Sequence, residues 1–386
     1  MKSTGGRLGS FLNKLQLFRP SLRGVFLSRP NRFTVIAETD KGTIRAHCPN
    51  PGRMRELLTP GRECLFEHHP DKPRKTAYSL AAVVYNGRIV PLFSAGANKI
   101  AHHLLLPKFF PDAIEVIPEF SLGKSRFDFM IKSPGKHTLV EVKSCSLVEE
   151  ETAMFPDAPT IRGTRHIREL AAAAETGSYS SMVLFVIVNH SARRLVPDIH
   201  TDPDFSTAVL ESRDSIDFRA VSIDCTPDGN VSIADPEIPI DTGPCSAAQE
   251  DSGVYLLSIE LKSRRRIETG ALGKIDFEEG TWLYVGSARK NLSRRMARHL
   301  RRRKKLHWHI DYLLQEADSC EAFPVRSIKN DLECRLARDV GDIAESRIHG
   351  FGSSDCRCES HLFRLGKTGD KSFLPLLLHY RHSVAL

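Results

Sequence analysis

The chain has 386 residues, too many for one ordinary core, and at roughly 100–200 residues per domain it divides into two or three. With 41% hydrophobic and 26% charged residues it has the apolar material for real cores, which excludes global disorder; its longest central apolar run, residues 182–188, is strand-sized and far short of the ~20 residues of a membrane span. The net charge of +8 is unevenly spread, with 17 Lys/Arg against 6 Asp/Glu in residues 1–100, 13 against 23 in 101–250 and 25 against 18 in 251–386. Basic flanks suit a polyanion such as nucleic acid, because Lys and Arg displace counterions condensed on phosphates; an acidic middle suits carboxylates gathered for a cation.

The first 20 residues are basic, with scattered apolar positions and no continuous apolar segment of a secretory signal; they read as an extension ahead of the first domain. Nine cysteines without dense spacing read as reduced thiols of a cytoplasmic protein. Residues 33–47 predict two short strands around Asp40-Lys41-Gly42, Asn50-Pro51-Gly52 a turn, 53–58 one or two helical turns, and 80–91 a hairpin with Asn86-Gly87 at its tip. Short strands separated by turns predict a small β-barrel or sandwich over residues 21–97. From 98 to 225 the pattern becomes α/β: a helix over 101–110, strands over 114–120, 126–132 and 137–142, a helix over 167–174 and a buried strand over 181–189. Residues 226–252, rich in Pro, Gly, Ser and Asp, read as a linker, and a fresh strand at Gly253 opens a last domain over 253–386.

The informative cluster lies between Glu119 and Lys143. Ser125-Arg126-Phe127-Asp128-Phe129 sets Asp128 among apolar strand neighbours, and the next strand ends in Glu141-Val142-Lys143. Residues i and i+2 of a strand share a face, so Glu141 and Lys143 project together while Val142 points the other way. If the two strands pair, Asp128 sits beside Glu141, and adjacent carboxylates repel unless a divalent cation, Mg2+ or Mn2+, relieves them. A lysine there positions water or stabilises charge on a pentacovalent phosphate. The set is the PD-(D/E)xK pattern of metal-assisted phosphodiester hydrolysis, with Glu119 as an additional carboxylate. Spacing alone favours a plain surface ion pair by roughly two to one, since such pairs are abundant.

Longer matches separate these alternatives. Asn31-Arg32-Phe33, AHCPNPGRM at 46–54, SRFDF at 125–129, EVKS at 141–144, FPDAPTIRG at 155–163 and His166 make residues 21–222 resemble the sugar fermentation stimulation (SfsA) family. The resemblance implies an N-terminal OB-like barrel that binds DNA and a nuclease-like α/β domain. It also implies a metal site of Glu119, Asp128, Glu141 and Lys143, lined by Phe155-Pro156-Asp157, Thr160, Arg162, Gly163 and His166. Cys145-Ser146 departs from the more apolar pair expected there. In the barrel, Arg32, His47, Asn50, Arg53 and Arg55 supply phosphate-directed donors, joined by Arg126, Arg162 and His166; Phe33 and Phe66 can stack on bases, but core packing is the commoner role of such aromatics.

In the last domain Gly253-Val254-Tyr255 and Tyr284-Val285-Gly286 place two tyrosines on strands, a helix carries Arg294, Arg295, Arg298 and His299, and Glu333 follows Arg295 by 38 residues. A tyrosine that orients water, an arginine on phosphate and one glutamate on a single metal are the parts of a GIY-YIG nuclease. YVGSA at 284–288, HWHIDYLL at 307–314, ECRLA at 333–337 and FGSSDCRCESHLF at 351–363 resemble a GIY-YIG-related family of unknown function, also found fused to DNA-repair glycosylase domains. Residues 294–305 hold eight Lys/Arg in twelve positions, a dense positive helical face that a polyanion would relieve. Cys356, Cys358 and His361 have the spacing for zinc with Cys320 or Cys334 as fourth ligand; with that ligand unfixed, buried thiols come first. His307 and His309 bracket Trp308 as candidate DNA or active-site contacts.

The sequence therefore predicts an α/β multidomain chain: an OB-like β-barrel, a PD-(D/E)xK nuclease-like α/β domain and a GIY-YIG-like α/β domain. The expected function is DNA binding with metal-dependent phosphodiester hydrolysis by Asp128, Glu141 and Lys143, and by Tyr255, Tyr284, Arg295 and Glu333. A non-catalytic DNA-binding regulator of sugar metabolism and an RNA-processing nuclease are the alternatives; no feature reads a 2′-OH, and none fixes the oligomeric state.

Overall fold

The computed structural model describes residues 14–50, 52–69, 76–93, 95–329, 331–366 and 370–384; residues 1–13 of the N-terminal extension and Pro51 of the predicted turn lie outside the described residues. The chain forms two compact units. The first runs to Thr242 except for Ile199–Pro203, and the second takes that short segment together with Gly243 onward.

In the first unit, β1 (Leu22–Asn31), β2 (Thr34–Thr39), β3 (Gly42–His47), β4 (Glu63–His68) and β5 (Tyr78–Tyr85) pair in the order β3-β2-β1-β4-β5. A parallel bridge from Ala46 and His47 to Tyr78 and Ser79 closes this five-stranded OB barrel. Leu22, Gly24 and Phe26 point inward along β1 while Arg23, Val25 and Leu27 face out, the period-2 pattern of a half-buried strand. β6 (Arg88–Pro91) extends β5 through the Asn86-Gly87 turn. The helical turns expected over 53–58 reduce to one open turn, in which the Leu57 and Leu58 amides both donate to the Met54 carbonyl.

The helical run after the barrel begins with α1 (Gly96–Ile100). A seven-stranded sheet follows, built on β7 (Glu115–Leu122), β8 (Ser125–Ser133), β9 (Lys136–Cys145), β10 (Ser180–Ile187), β11 (Asp217–Cys225) and β12 (Asn230–Asp235), with Leu15–Gln16 as its outer strand. β7, β8 and β9 are antiparallel neighbours, whereas β9, β10 and β11 run parallel. The alternation of side chains splits the core: Val140, Val142, Leu184 and Val186 join the apolar core of the barrel, and Leu139, Val183 and Phe185 pack under α2 (Ile161–Glu175). Each such side chain, once buried, contributes about 1.5–3 kcal/mol. α2 starts six residues before the expected 167 because Thr160 caps it, its hydroxyl accepting from the Gly163 amide at 3.0 Å. β12 falls inside the expected linker; its turn-rich surroundings masked the buried Val231 and a hairpin with β11.

The second unit is an antiparallel sheet of β13 (Gly253–Leu261), β14 (Gly280–Ala288), β15 (Ser319–Arg326) and β16 (Leu362–Gly366), in the order β15-β13-β14-β16, with Ser346–Arg347 beyond β16. α3 (Leu292–Leu300) and α4 (His309–Glu316) pack on one face through Met296 and Leu313, and α5 (Leu332–Ile343) covers the other through Leu336 and Val340. The basic run 294–305 is not one helix, since α3 ends at Leu300 and Arg301 is extended. Among the described residues no helix is long and apolar enough to cross a membrane.

Candidate active sites

The register of β8 against β9 brings the central carboxylates together. The pairing breaks after Val140–Phe129, and past that break Asp128 reaches across: its Oδ2 accepts from the Val142 amide at 2.8 Å and its Oδ1 from Asn98 of α1 at 2.7 Å. Glu141, 5% exposed, receives Lys143 Nζ at 2.6 Å and His166 Nδ1 at 2.7 Å, both on Oε1. Its other oxygen, Oε2, is buried with no hydrogen-bond partner. Burial raises the Glu141 carboxyl, but the His166 bond and Lys143 more than offset this and hold it below the usual range. Asp128 is raised by burial and then by the charge of Glu141. One carboxylate is thus ionised beside another that is penalised for ionising, the electrostatic state that a divalent cation resolves.

A cavity of about 430 Å³ opens beside this pair, lined by Lys143 and Ser144 of β9, by the loop 155–160, and by Arg32, Asn50 and Gly52 of the barrel. Arg29, which the sequence reading missed, fixes the barrel loop by donating to the carbonyls of Asn50, Gly52, Arg53 and Arg32. A Cβ on Gly52 would lie 2.3 Å from Asp157 Oδ2, so only glycine admits the Asp157 carboxylate against this loop. Burial raises Asp157, and beneath it Glu56 is pushed up to about 8 by burial and then by Asp157. Asp157 was expected as a lining residue, whereas its fit against Gly52 and the part of Glu56 were not visible in the sequence, because both depend on how the barrel loop meets the loop 155–160.

Glu119 departs from the expected set. It falls in the gap of the β7–β8 ladder between the pairs Pro118–Phe129 and Phe120–Phe127, has a φ of 52°, and its side chain, 70% exposed, pairs with Arg126 at 3.4 Å. His166, expected to contact nucleic acid, is 1% exposed and holds Glu141; a side chain so enclosed cannot reach a phosphate. Arg32, Arg53, Arg126 and Arg162 are exposed, and His47 and Asn50 half-buried. Phe66 is core, whereas Phe33 is 56% exposed and lines a groove of about 790 Å³ with His47, Phe93 and Lys99.

In the second unit Tyr255 of β13 faces Gly286 of β14, and a Cβ on Gly286 would meet the Tyr255 ring at 2.5 Å. The glycine of Tyr-Val-Gly is there so that the tyrosine can cross the neighbouring strand. The Tyr255 and Tyr284 rings are 6.4 Å apart, and burial raises both phenols, so both stay protonated at neutral pH. The Tyr255 hydroxyl lies 2.9 Å from His299 Nε2. His299, expected to contact nucleic acid, is 3% exposed and lowered to about 4 by burial and Lys304, so it is a neutral partner of Tyr255 instead. Arg295 Nη1 donates to the Ser287 carbonyl at 2.8 Å, and the Ser287 hydroxyl donates to Glu333. Burial raises Glu333, yet the nearby His361 ring and the Ser287 hydroxyl hold it below the usual range.

Arg298 is also not free for phosphate. It donates to both oxygens of Asp311, at 3.0 and 2.9 Å. Asp311, which the sequence reading passed over inside HWHIDYLL, is fully buried; it also accepts from the His307 and Trp308 amides and has Lys304 Nζ at 3.5 Å. Arg294 stays exposed, together with Arg301, Arg302, Arg303 and Lys305. The thiols of Cys334, Cys356 and Cys358 and a ring nitrogen of His361 lie within 4.8 Å of one another, a grouping able to hold a metal ion that brings in Cys334 and not Cys320.

Residues 27–92 match the family described as SfsA N-terminal OB domain, 95–229 the sugar fermentation stimulation protein RE domain, and 254–377 the domain of unknown function DUF123. A sugar fermentation stimulation protein homolog of Methanothermobacter thermautotrophicus is 39% identical over 198 residues, covering 50% of this chain and 82% of that protein. A homolog of the same name from Caldivirga maquilingensis is 40% identical over 206 residues, covering 52% and 85%. The solved structure of Pyrococcus furiosus SfsA in complex with Ca2+ is 27% identical with a TM-score of 0.53, covering 59% of this chain and 99% of that one.

Proposed function

The chain belongs to the sugar fermentation stimulation protein family through its OB and central domains, and we propose that it is a DNA-binding, divalent-metal-dependent nuclease whose principal site is Asp128, Glu141 and Lys143. The observation that carries this is Glu141 Oε2, a buried carboxylate oxygen with no partner, beside an Asp128 that burial and Glu141 make costly to ionise. Isolated buried oxygens of this kind cost roughly 1–3 kcal/mol, which a bound cation repays. Asp128 and Glu141 are oxygen donors of the hard type that suits Mg2+ or Mn2+, and the relative solved with Ca2+ binds a cation of that class. Such an ion supplies Lewis-acid stabilisation of a phosphate and an acidified water.

The chain's own residues do the positioning. His166 and Lys143 fix Glu141 through one oxygen and leave the other directed inward; Asn98 and the Val142 amide fix Asp128. Lys143, at the cavity wall, places positive charge where a scissile phosphate would gain negative charge. Arg32 and Asn50 bring the barrel to the same cavity, which supports a strand held by the OB domain and cut at its junction with the sheet. In the second unit Tyr255, Tyr284, Arg295 and Glu333 form a single-carboxylate site suited to the same reaction.

The test is cleavage of labelled single- and double-stranded DNA and RNA with Mg2+, Mn2+ or chelator, by wild type, Asp128→Ala, Glu333→Ala and the double variant. We expect metal-dependent DNA cleavage that falls by about 10³-fold or more in Asp128→Ala, the scale of several kcal/mol of transition-state stabilisation. Salt-sensitive binding with no cleavage by wild type under any condition would leave a non-catalytic DNA-binding regulator instead; cleavage confined to RNA would move the substrate class.

A further inference from the structure

Five of the nine cysteines, Cys48, Cys64, Cys145, Cys225 and Cys245, are buried in the manner of small apolar side chains. Cys334, Cys356 and Cys358 are different. Cys334 sits in the first turn of α5, while Cys356, Cys358 and His361 come from the loop that leads into β16. Segments separated by about twenty residues converge so that three Sγ atoms and one imidazole nitrogen all lie within 4.8 Å of one another, with Cys356 Sγ 3.4 Å from His361 Nε2. Four ligand atoms around a tetrahedral Zn2+ stand about 3.3–3.8 Å apart, so the set closes on an ion with sub-ångström to ångström shifts. Apolar packing has no use for such a convergence. One nitrogen and three sulfur donors are wrong for Mg2+, Mn2+ or Ca2+ and suit a thiophilic divalent cation.

The imidazole has a second contact. Its Nδ1 is buried without a hydrogen bond and lies 3.3 Å from Glu333 Oε1, while Nε2 is on the side of the thiols, so a small turn of the ring on metal binding would let Nδ1–H donate to the carboxylate. A carboxylate behind a ligating histidine fixes its tautomer and orientation and strengthens it as a donor. The same loop carries Phe351, fully buried at 6.3 Å from the Tyr284 ring, and Gly352, where a Cβ would come within 2.9 Å of that ring. Pinning the loop therefore pins Tyr284 as well as Glu333.

We propose that Cys334, Cys356, Cys358 and His361 bind one thiophilic divalent cation, Zn2+ by donor chemistry, which ties the loop 348–361 to α5 and, through His361, orients Glu333. The binding site stands whether or not either candidate active site cuts phosphodiesters. His361 is a positioning residue for Glu333.

The full chain, purified under reducing conditions without added metal, is assayed by elemental mass spectrometry. About one zinc per chain is expected in wild type and in Cys320→Ser, whose half-buried thiol lies outside the cluster, and less than about a tenth of that in Cys358→Ser and Cys334→Ser. Replacement by Co2+ reads the ligands in wild type alone, so the result does not depend on whether a cysteine variant folds: thiolate-to-cobalt charge transfer and intense tetrahedral d–d bands are expected. Glu333→Gln should keep one zinc per chain but weaken it by about 10–100-fold in competition with a chromophoric chelator. Wild type with neither zinc nor a thiolate–cobalt spectrum overturns the site. Unchanged affinity in Glu333→Gln overturns the link to Glu333.

Discussion

In the first unit Glu141 Oε2 is buried with no partner, Asp128 is raised by burial and by Glu141, and Glu56 is pushed up to about 8. In the second unit Asp311, with no exposed surface, takes two donors from Arg298 and two backbone amides with Lys304 alongside, and Glu333 is held down by His361 and Ser287. Burial costs all of these carboxylates; what separates them is the supply of donors. A saturated carboxylate is ionised in advance and holds the fold, whereas one short of donors gains most from an added cation. The difference teaches where an oxygen-seeking metal has the most to offer: beside Glu141, not beside Asp311.

The largest expected effect tests the saturated side. In Asp311→Asn the amide turns donors toward donors and leaves Arg298 and the 4%-exposed Lys304 without their counter-charge. Removing one partner of a buried pair costs about 3–5 kcal/mol, and the second unit should lose that much unfolding free energy in urea. A neutral outcome would show that Asp311 is not the anchor its contacts describe. Next comes the side short of donors. Mn2+ at about a hundred times its dissociation constant should stabilise the chain by about 2.7 kcal/mol, read as a rise in unfolding midpoint. The sign with pH follows from Asp128. Its folded pKa is raised, so a proton competes with the cation at low pH and the gain grows as pH rises through that pKa. Glu141→Gln should abolish the gain and Glu333→Gln should keep it; the reverse would invert the comparison.

Much of this was legible in the sequence, for reasons that particular residues make plain. The approach of Glu141 and Lys143 was readable because strand periodicity places them on one face, and they meet at 2.6 Å, whereas the choice of a metal site over an ion pair came from the family resemblance. The same periodicity could not show that β7 turns Glu119 outward through a φ of 52°. The two strand tyrosines were written in the Gly-Val-Tyr and Tyr-Val-Gly patterns, but the contact of Tyr255 with Gly286 emerges only from the antiparallel register. Exposure was the weak point. His166 and His299 looked like phosphate contacts and are buried positioning groups, because a histidine in a basic or loop-flanked stretch carries no mark of which way its helix faces. Arg298 and Lys304 counted as free charge until Asp311, eleven residues beyond the end of the basic helix, claimed them. Cys334 could not be chosen over Cys320 by spacing, since the decision lies in how α5 meets the last loop.

The smallest effect is a slope. Glu56 is 8% exposed, its Oε1 has no partner, and burial followed by Asp157 pushes its carboxyl from an ordinary 4.5 up to about 8. An acid whose folded pKa is raised holds its proton more tightly folded than unfolded. Its contribution is therefore fully present below about 4.5 and is lost as pH rises through about 8. Between those limits the loss is at most about 1.4 kcal/mol per pH unit. Glu56→Gln keeps the shape and removes the titration, so its stability in urea should change less steeply than that of wild type from about pH 5 to about pH 8, with the gap widening at the alkaline end. Asp311 supplies the internal contrast, since a carboxylate already held below its usual range has no such slope there. Parallel pH profiles for wild type and Glu56→Gln would mean that Asp157 and the barrel loop relax to admit the charge, and that the shortage of donors in the first unit ends at Asp128 and Glu141.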